Sequence, residues 1–319
     1  MNEDNIRVPV FLITGFLEAG KTSFLNMTIR QDYFMIEETT LLINCEQGEK
    51  EYNTSVYKEL FNTEYAEITE KEKFTKENLE ELDALYAPAR VLLEYNPLWG
   101  VKELEEMKLP EGWGIVQEIV IVDASTFQVY VNNMKSLFVD MSRNAELVIF
   151  NRCTKDMPLA NFRRSIKVVN PACQVLFEDV NGDMTDIFED TVPYDLDADL
   201  ITIEDVDYGI FYVDVREHPD RYRGKTVRFK GRVMKQLSFG KGIFVPGRQA
   251  MTCCADDTTF IGYVCESRST PKLRTGNWVE VTAEVDYGYS KIYGEEGPIL
   301  KAKAVKNAMP PEVDMVYFS

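Results

Sequence analysis

The residues Gly15-Phe16-Leu17-Glu18-Ala19-Gly20-Lys21-Thr22 carry the first recognisable chemistry in this sequence. They match the pattern G-x-x-x-x-G-K-[ST] at every fixed position. Glycines at Gly15 and Gly20 let the backbone curl so that its N–H groups point inward as an anion nest. A helix beginning at the lysine adds the partial positive charge of its N-terminus. In that setting Lys21 reaches the β- and γ-phosphates of a nucleotide, and Thr22 offers its hydroxyl to Mg²⁺. The backbone amides of Glu18, Ala19, Gly20, Lys21, Thr22 and Ser23 would hold the α- and β-phosphates.

The elements that must position this loop are legible on either side of it. Val8 to Thr14 (VPVFLIT) is a short apolar run that reads as a buried parallel strand entering a tight turn. After Lys21, apolar residues at Phe24, Leu25 and Ile29 fall at helical spacing. Further strands are expected at Thr40–Cys45, Ala89–Glu94, Val116–Asp123, Glu146–Asn151 and Gln174–Phe177. Helices are expected at Thr75–Tyr86, Val101–Met107, Phe127–Met141 and Leu159–Val169. Such alternation implies a doubly wound α/β domain, and with the loop at its first strand it reads as a P-loop NTPase domain.

From about Asp195 the texture changes. The acidic run DLDADLITIEDVDYG reads as a solvated connection. A helical pattern follows at Val213–Tyr222. Short strand patterns with glycine-rich turns come next: Thr226–Lys235, Gly242–Pro246, Met251–Cys253, Phe260–Glu266, Trp278–Val285 and Ile299–Val305. They suggest a small all-β, OB-like barrel. The expected organisation is therefore residues 1–192 as the α/β domain, 193–207 as an acidic linker, and 208–319 as the barrel.

The bulk composition narrows the function classes. The 319 residues include 53 acidic and 35 basic side chains, a formal charge of −18. That balance argues against a nucleic-acid surface and against adhesion to an anionic membrane. It reads as solubility through self-repulsion, with a cation-attracting surface as the lesser alternative. No apolar run approaches the ~20 residues that span a bilayer, and the start MNEDNIRVPV has no leader character. A cytoplasmic protein, not inserted in a membrane, is expected. The six cysteines are scattered, which speaks against a disulfide framework.

Beyond the loop, the stretch VPVFLITGFLEAGKTSFLN resembles the opening of CobW-type GTPases, of the same class as the HypB and UreG metallochaperones. The resemblance covers roughly residues 7–180. Asn44 and Glu46-Gln47-Gly48-Glu49 resemble the family's switch N-E-F-G-E, near the γ-phosphate. Glu94, ending RVLLE, sits where the family's E-T-T-G places a carboxylate at the metal. Asp123 in IVIVDAS matches V-V-D-A, and NAELVIFNR matches the base-recognition strand. The resemblance implies GTP and Mg²⁺ as cofactors, Lys21, Glu46 and Glu94 as catalytic residues, and Thr22 with Glu94 at Mg²⁺. It implies Asn151, Arg152 and Asp156 at the base. Metal cargo, a metalloprotein client or a permease would be the partner, with a nucleotide-dependent dimer as a further implication.

Four departures bear on that reading. Asn151-Arg152-Cys153-Thr154-Lys155-Asp156 places the acid two positions later than N-K-x-D does, which leaves GTP first and ATP or relaxed specificity open. Asn53 stands where the family's switch ends in Asp, and Asn is a weaker partner for Mg²⁺. Glu94-Tyr95-Asn96-Pro97 lacks the glycine of E-T-T-G. The stretch FNTEYAEITEKEKFT holds no cysteine or histidine where the family carries G-C-x-C-C, so that site for Zn²⁺ or a similar transition metal is missing. A nucleotide-binding scaffold with little or no hydrolysis is therefore a competing reading.

In the C-terminal half, GRQAMTCCADDTTFIGYVC resembles the M-T-C-C-A-A-D-A signature of YcgQ-like proteins, which accompany predicted permeases; the likeness runs over roughly residues 205–319. Cys254 with Asp256, or Cys253 with Asp257 and Cys265, are the ligand groups considered for a transition metal such as Zn²⁺. A redox pair and plain core packing are the alternatives. A metal-binding adaptor acting through Cys253 and Cys254 is thus a third reading. The lone histidine, His218, is expected to end a helix before Pro219. Phe229, Phe239, Phe244, Tyr263 and Trp278 could stack bases, but their alternation favours barrel packing and no nucleic acid is expected.

Overall fold

The computed structural model describes residues 6–48, 51–183, 191–251, 258–267 and 273–316. The chain divides into two compact units, Met1–Leu159 with Val169–Glu189, and Ala160–Val168 with Asp190–Ser319.

In the first unit the elements run β1 (Val8–Thr14), α1 (Lys21–Thr28), β2 (Thr40–Asn44), α2 (Thr54–Phe61), β3 (Thr63–Glu67), α3 (Lys76–Tyr86), β4 (Arg90–Glu94), α4 (Val101–Glu106), β5 (Trp113–Asp123), α5 (Phe127–Ser142), β6 (Leu147–Cys153), α6 (Leu159–Val169) and β7 (Gln174–Asp179). The seven strands form one parallel sheet in the order β3-β2-β4-β1-β5-β6-β7. Strands covered on both faces must be apolar throughout, and β2 accordingly reads Thr-Leu-Leu-Ile-Asn with every position buried. Ile13, Leu42, Leu92, Ile121 and Ile149 from five strands pack with Leu25 and Ile29 of the α1 segment.

Two elements of this unit differ from expectation by existing at all. Strand β3 (Thr-Glu-Tyr-Ala-Glu) has polar residues and only one buried position because it is the sheet edge, where charges keep a further strand from pairing. Helix α2 precedes it, with the Asn53 side chain accepting from the Val56 N–H as its cap. Helix α5 runs through a non-helical residue, Met134 (φ −135°, ψ 39°). Of α6, residues 160–168 group with the second unit rather than with the sheet they follow in sequence.

The second unit comprises β8 (Ile201–Thr202), α7 (Tyr208–Glu217), α8 (Pro219–Tyr222), β9 (Thr226–Met234), β10 (Ile243–Met251), β11 (Thr258–Gly262), β12 (Val264–Glu266), β13 (Trp278–Ser290), β14 (Glu295–Asn307) and β15 (Met315–Val316). Strands β10, β12, β14, β13 and β9 pair in turn, and β9 pairs back onto β10, closing a five-stranded barrel. Strand β9 alternates inward Val227, Phe229 and Val233 with outward polar residues. Phe229, Phe244 and Tyr263 are core residues, as their alternation suggested.

The acidic run is more than a solvated connection. Ile201 and Ile203 are buried within it, and β8 pairs with β9 in parallel. Alternation over Leu-Ile-Thr-Ile was masked by the flanking aspartates. The helix expected at Val213–Tyr222 is instead α7 and α8, with His218 ending the first and Pro219 opening the second. Among the described residues, no helix is long and apolar enough to cross a membrane.

Candidate functional site

Parallel sheets present ligand sites outside the carboxyl ends of their strands, and the predicted residues of the first unit other than Asp156 gather there. Strand β1 ends at Thr14 and turns at Gly15, whose φ of 146° brings the backbone against β5. A Cβ there would lie 2.2 Å from the Ile121 carbonyl oxygen, so only glycine fits. Glu18 (φ 59°) and Gly20 (φ 103°) are also left-handed and curl the segment back to α1. Gly20 caps α1 without a side-chain acceptor, leaving the first-turn amides to an anion.

Lys21 is buried, and its Nζ donates to the carbonyls of Gly15 (2.8 Å) and Phe16 (2.9 Å). The same ammonium lies 2.5 Å from Glu46 Oε2. Next to it, Thr22 Oγ1 donates to the Glu94 carboxylate at 3.1 and 3.3 Å. Strand register explains this meeting across 72 residues, because Ile13 pairs with Glu94 and Asn44 pairs with Glu94 on the other side. Burial pushes the Glu94 carboxyl above its ordinary range, opposed by the Tyr52 hydroxyl, Lys21 and Thr22. The Tyr52 hydroxyl donates to Glu94 Oε2. Lys21, Thr22, Ser23, Glu46 and Glu94 line a small pocket open to solvent, of about 30 Å³.

Hard oxygen donors suit Mg²⁺. A threonine hydroxyl and a buried carboxylate that resists ionising alone fit such an ion at Thr22 and Glu94.

On the opposite flank, Asn151 Nδ2 donates to the Ala19 carbonyl at 2.7 Å, tying β6 to the loop. Its Oδ1 is buried with no hydrogen-bond partner among the described residues. Arg152 takes a left-handed backbone (φ 55°), pairs with Asp123 and donates to the Glu18 carbonyl at 3.3 Å. Asp156 is exposed, and its carboxyl is held below the ordinary range by the Thr154 side chain of its own turn. The structure thus brings together Lys21, Thr22, Glu46, Glu94, Asn151 and Arg152 around one loop, and places Asp156 outside the residues lining the adjoining clefts.

Two departures acquire local explanations. Asn53 is exposed and caps α2, accepting from Val56 N at 3.3 Å. Asn96 caps the short turn at Pro97–Trp99, accepting from Leu98 N at 3.0 Å. Tyr52 and Glu178 were missed by sequence reasoning, since neither lies in a spacing pattern with the loop.

Cys253, Cys254, Asp256 and Asp257 lie outside the described residues. Cys265 is fully buried in the barrel core, and burial pushes its thiol up to about 12. Its side chain packs within the hydrophobic core of the barrel. Among the described residues, no group of three or more His, Cys, Asp or Glu could hold a metal ion. His218 ends α7, with Nε2 3.7 Å from Asp214 Oδ1.

Comparison with known proteins adds the following. Residues 182–318 match the family model described as the DUF1980 C-terminal domain. No curated protein matches the chain. Among solved structures, the chain is similar to the hydrogenase maturation factor HypB from Archaeoglobus fulgidus (15% identity, covering 56% of this chain and 84% of that one, TM-score 0.39). It is similar to the Zn(II)-bound YjiA GTPase from E. coli (14% identity, 80% and 94% covered, TM-score 0.40). It is also similar to HypB from Helicobacter pylori in complex with nickel (11% identity, 56% and 81% covered, TM-score 0.34).

Proposed function

We propose that this chain is a CobW-like, Mg²⁺-dependent GTP-binding protein. Its nucleotide state would govern an interaction of the C-terminal barrel with a partner in metal handling or with a permease. One observation carries the reading. The complete G-x-x-x-x-G-K-[ST] loop lies at the carboxyl end of β1, with Lys21 buried in it and Thr22 bonded to Glu94 from the neighbouring strand.

In this reading Lys21 leaves the Gly15 and Phe16 carbonyls and Glu46 to pair with phosphate oxygens. The amides of residues 18–23 hold the α- and β-phosphates. Mg²⁺, when bound, neutralises phosphate charge. Thr22 and Glu94 are the residues that would hold it. Glu46 holds the ammonium that the phosphates would take, so a triphosphate would displace it from Lys21. Displacing Glu46 would make its segment respond to nucleotide, as a switch requires.

Titration with fluorescent GTP and ATP analogues in Mg²⁺ tests this, with Lys21→Ala as the comparison. Nucleotide affinity unchanged by Lys21→Ala would falsify the proposal. A second reading, nucleotide binding with little turnover, is favoured by Asn53, which caps a helix and faces solvent instead of supplying an acid to the phosphate end. Robust steady-state hydrolysis would exclude that alternative.

A further inference from the structure

A second cleft, of about 370 Å³, adjoins the phosphate loop between α1 and the carboxyl ends of β6 and β7. It shares Gly20, Ser23 and Arg152 with the space around Lys21, so the two adjoin. Its size falls in the range of small-ligand pockets. Phe24, Met27, Ile121 and Ile149 give it apolar walls, and its polar groups collect at the strand ends. A flat heteroaromatic base with apolar faces and a polar edge has this chemistry.

The strand ends contain a bulge. Phe150 pairs with Phe177 and Cys153 with Asp179, so Asn151 and Arg152 together oppose Glu178 alone. Bulges re-aim side chains and are common next to functional sites. The acids near this cleft are then sorted by their partners. Asp156 is exposed and does not line it. Asp123 is committed to Arg152. Asp179 accepts from the backbone N–H groups of Asn181 (2.7 Å) and Asp183 (3.0 Å) in its own turn. Glu178 lines the cleft and is half-buried, and its carboxylate makes no hydrogen bond or ion pair among the described residues. Burial raises its carboxyl above the ordinary range, the condition of an acid whose partner is to be supplied from outside the chain. On the facing strand, the buried Asn151 Oδ1 is also without a partner among the described residues.

We propose that Glu178 is the specificity-determining residue of the nucleotide site, its carboxylate accepting from the ring N–H and the exocyclic amino group of guanine. This rests on the nucleotide-binding reading above. Guanine presents two adjacent donors on that edge, which match the two oxygens of one carboxylate. Adenine presents a donor beside an acceptor, so its ring lone pair would face the anion. The role given in N-K-x-D to an acid on the strand's own loop passes here to the neighbouring strand, and Thr154 occupies the vacated position.

The test is a fluorescent-analogue titration of GTP and ATP, in Mg²⁺, on the full chain and on Glu178→Gln, Glu178→Ala, Asp156→Ala and Lys21→Ala. Glutamine offers one acceptor and one donor, the pattern adenine wants. The expected result is a GTP preference in the parent chain that falls by about 100-fold in Glu178→Gln, with ATP binding gained. Glu178→Ala loses the preference without the gain, and Asp156→Ala keeps it. Lys21→Ala loses both nucleotides, which marks loss of phosphate binding apart from loss of base reading. Matching melting curves show that the variants fold. The proposal is overturned if Glu178→Gln and Glu178→Ala keep the GTP preference, if Asp156→Ala abolishes it, or if the parent chain binds both nucleotides equally. Binding of neither nucleotide by the parent chain overturns the underlying reading together with this one.

Discussion

Lys21 Nζ and Glu46 Oε2 lie 2.5 Å apart, with their side chains 2% and 11% exposed. A buried ammonium needs a counter-charge, and Glu46 stands where an anionic ligand would otherwise supply it. The contact makes Glu46 a competitor of the phosphates for the same lysine. Glu46→Gln should therefore tighten triphosphate binding by about tenfold, or ~1.4 kcal/mol, while slowing hydrolysis if Glu46 acts at the γ-phosphate. Equilibrium titration and single-turnover assays on one preparation separate the two effects.

Thr22 and Glu94 predict a cation dependence. Thr22→Val keeps the shape of the side chain but removes the hydroxyl that bonds Glu94. Nucleotide affinity should then lose most of its response to Mg²⁺, and chelation by EDTA should change it little. Thr22→Ser should restore the response. Isothermal titration with and without Mg²⁺ reads this directly, and an unaltered Mg²⁺ dependence in Thr22→Val would count against the assignment.

Glu118 predicts a pH dependence of stability. Burial, with Glu105, Glu146 and Asp140 nearby, raises its carboxyl from 4.5 to about 7. Between those values the folded chain binds more protons than the unfolded one, so stability falls as pH rises from about 4.5 to about 7 and levels off above. Glu118→Gln removes this contribution. Urea denaturation at several pH values should show the variant gaining on the parent chain towards neutral pH. Parallel pH profiles would refute the assignment.

Arg248 predicts the strength of one joint in the second unit. Its guanidinium is 1% exposed and donates to Asp205 Oδ1 at 2.5 Å, to the Asp205 carbonyl at 2.7 Å and to the Lys230 carbonyl at 3.1 Å. Arg248→Met keeps the stem but strands these acceptors, at a cost of about 3 kcal/mol. Chemical denaturation monitored by circular dichroism would show it. A loss under about 1 kcal/mol would mean that water replaces the guanidinium.

Much of the fold was legible because its signals are local. Strand β1 is an apolar run, α3 begins at the cap Thr75, and the helix-ending His218-Pro219 is a contiguous pair. Strand β3 was not legible, since an edge strand carries polar residues that look like a loop. The β8 pairing was hidden because only two residues of an acidic run join the sheet.

By itself the sequence determined the chemistry of the loop. Gly15, Gly20, Lys21 and Thr22 are neighbours along the chain, and their backbone geometry follows from adjacent residue types. Only the tertiary structure decided which distant groups meet them. Strand register delivers Glu94 to Thr22, and the Tyr52 hydroxyl reaches the same carboxylate. A bulge sets Glu178 opposite Asn151 and Arg152, while Asp156, nearer the motif in sequence, turns to solvent. The reason is that side-chain neighbours across a sheet are chosen by strand order and register, which no local spacing encodes.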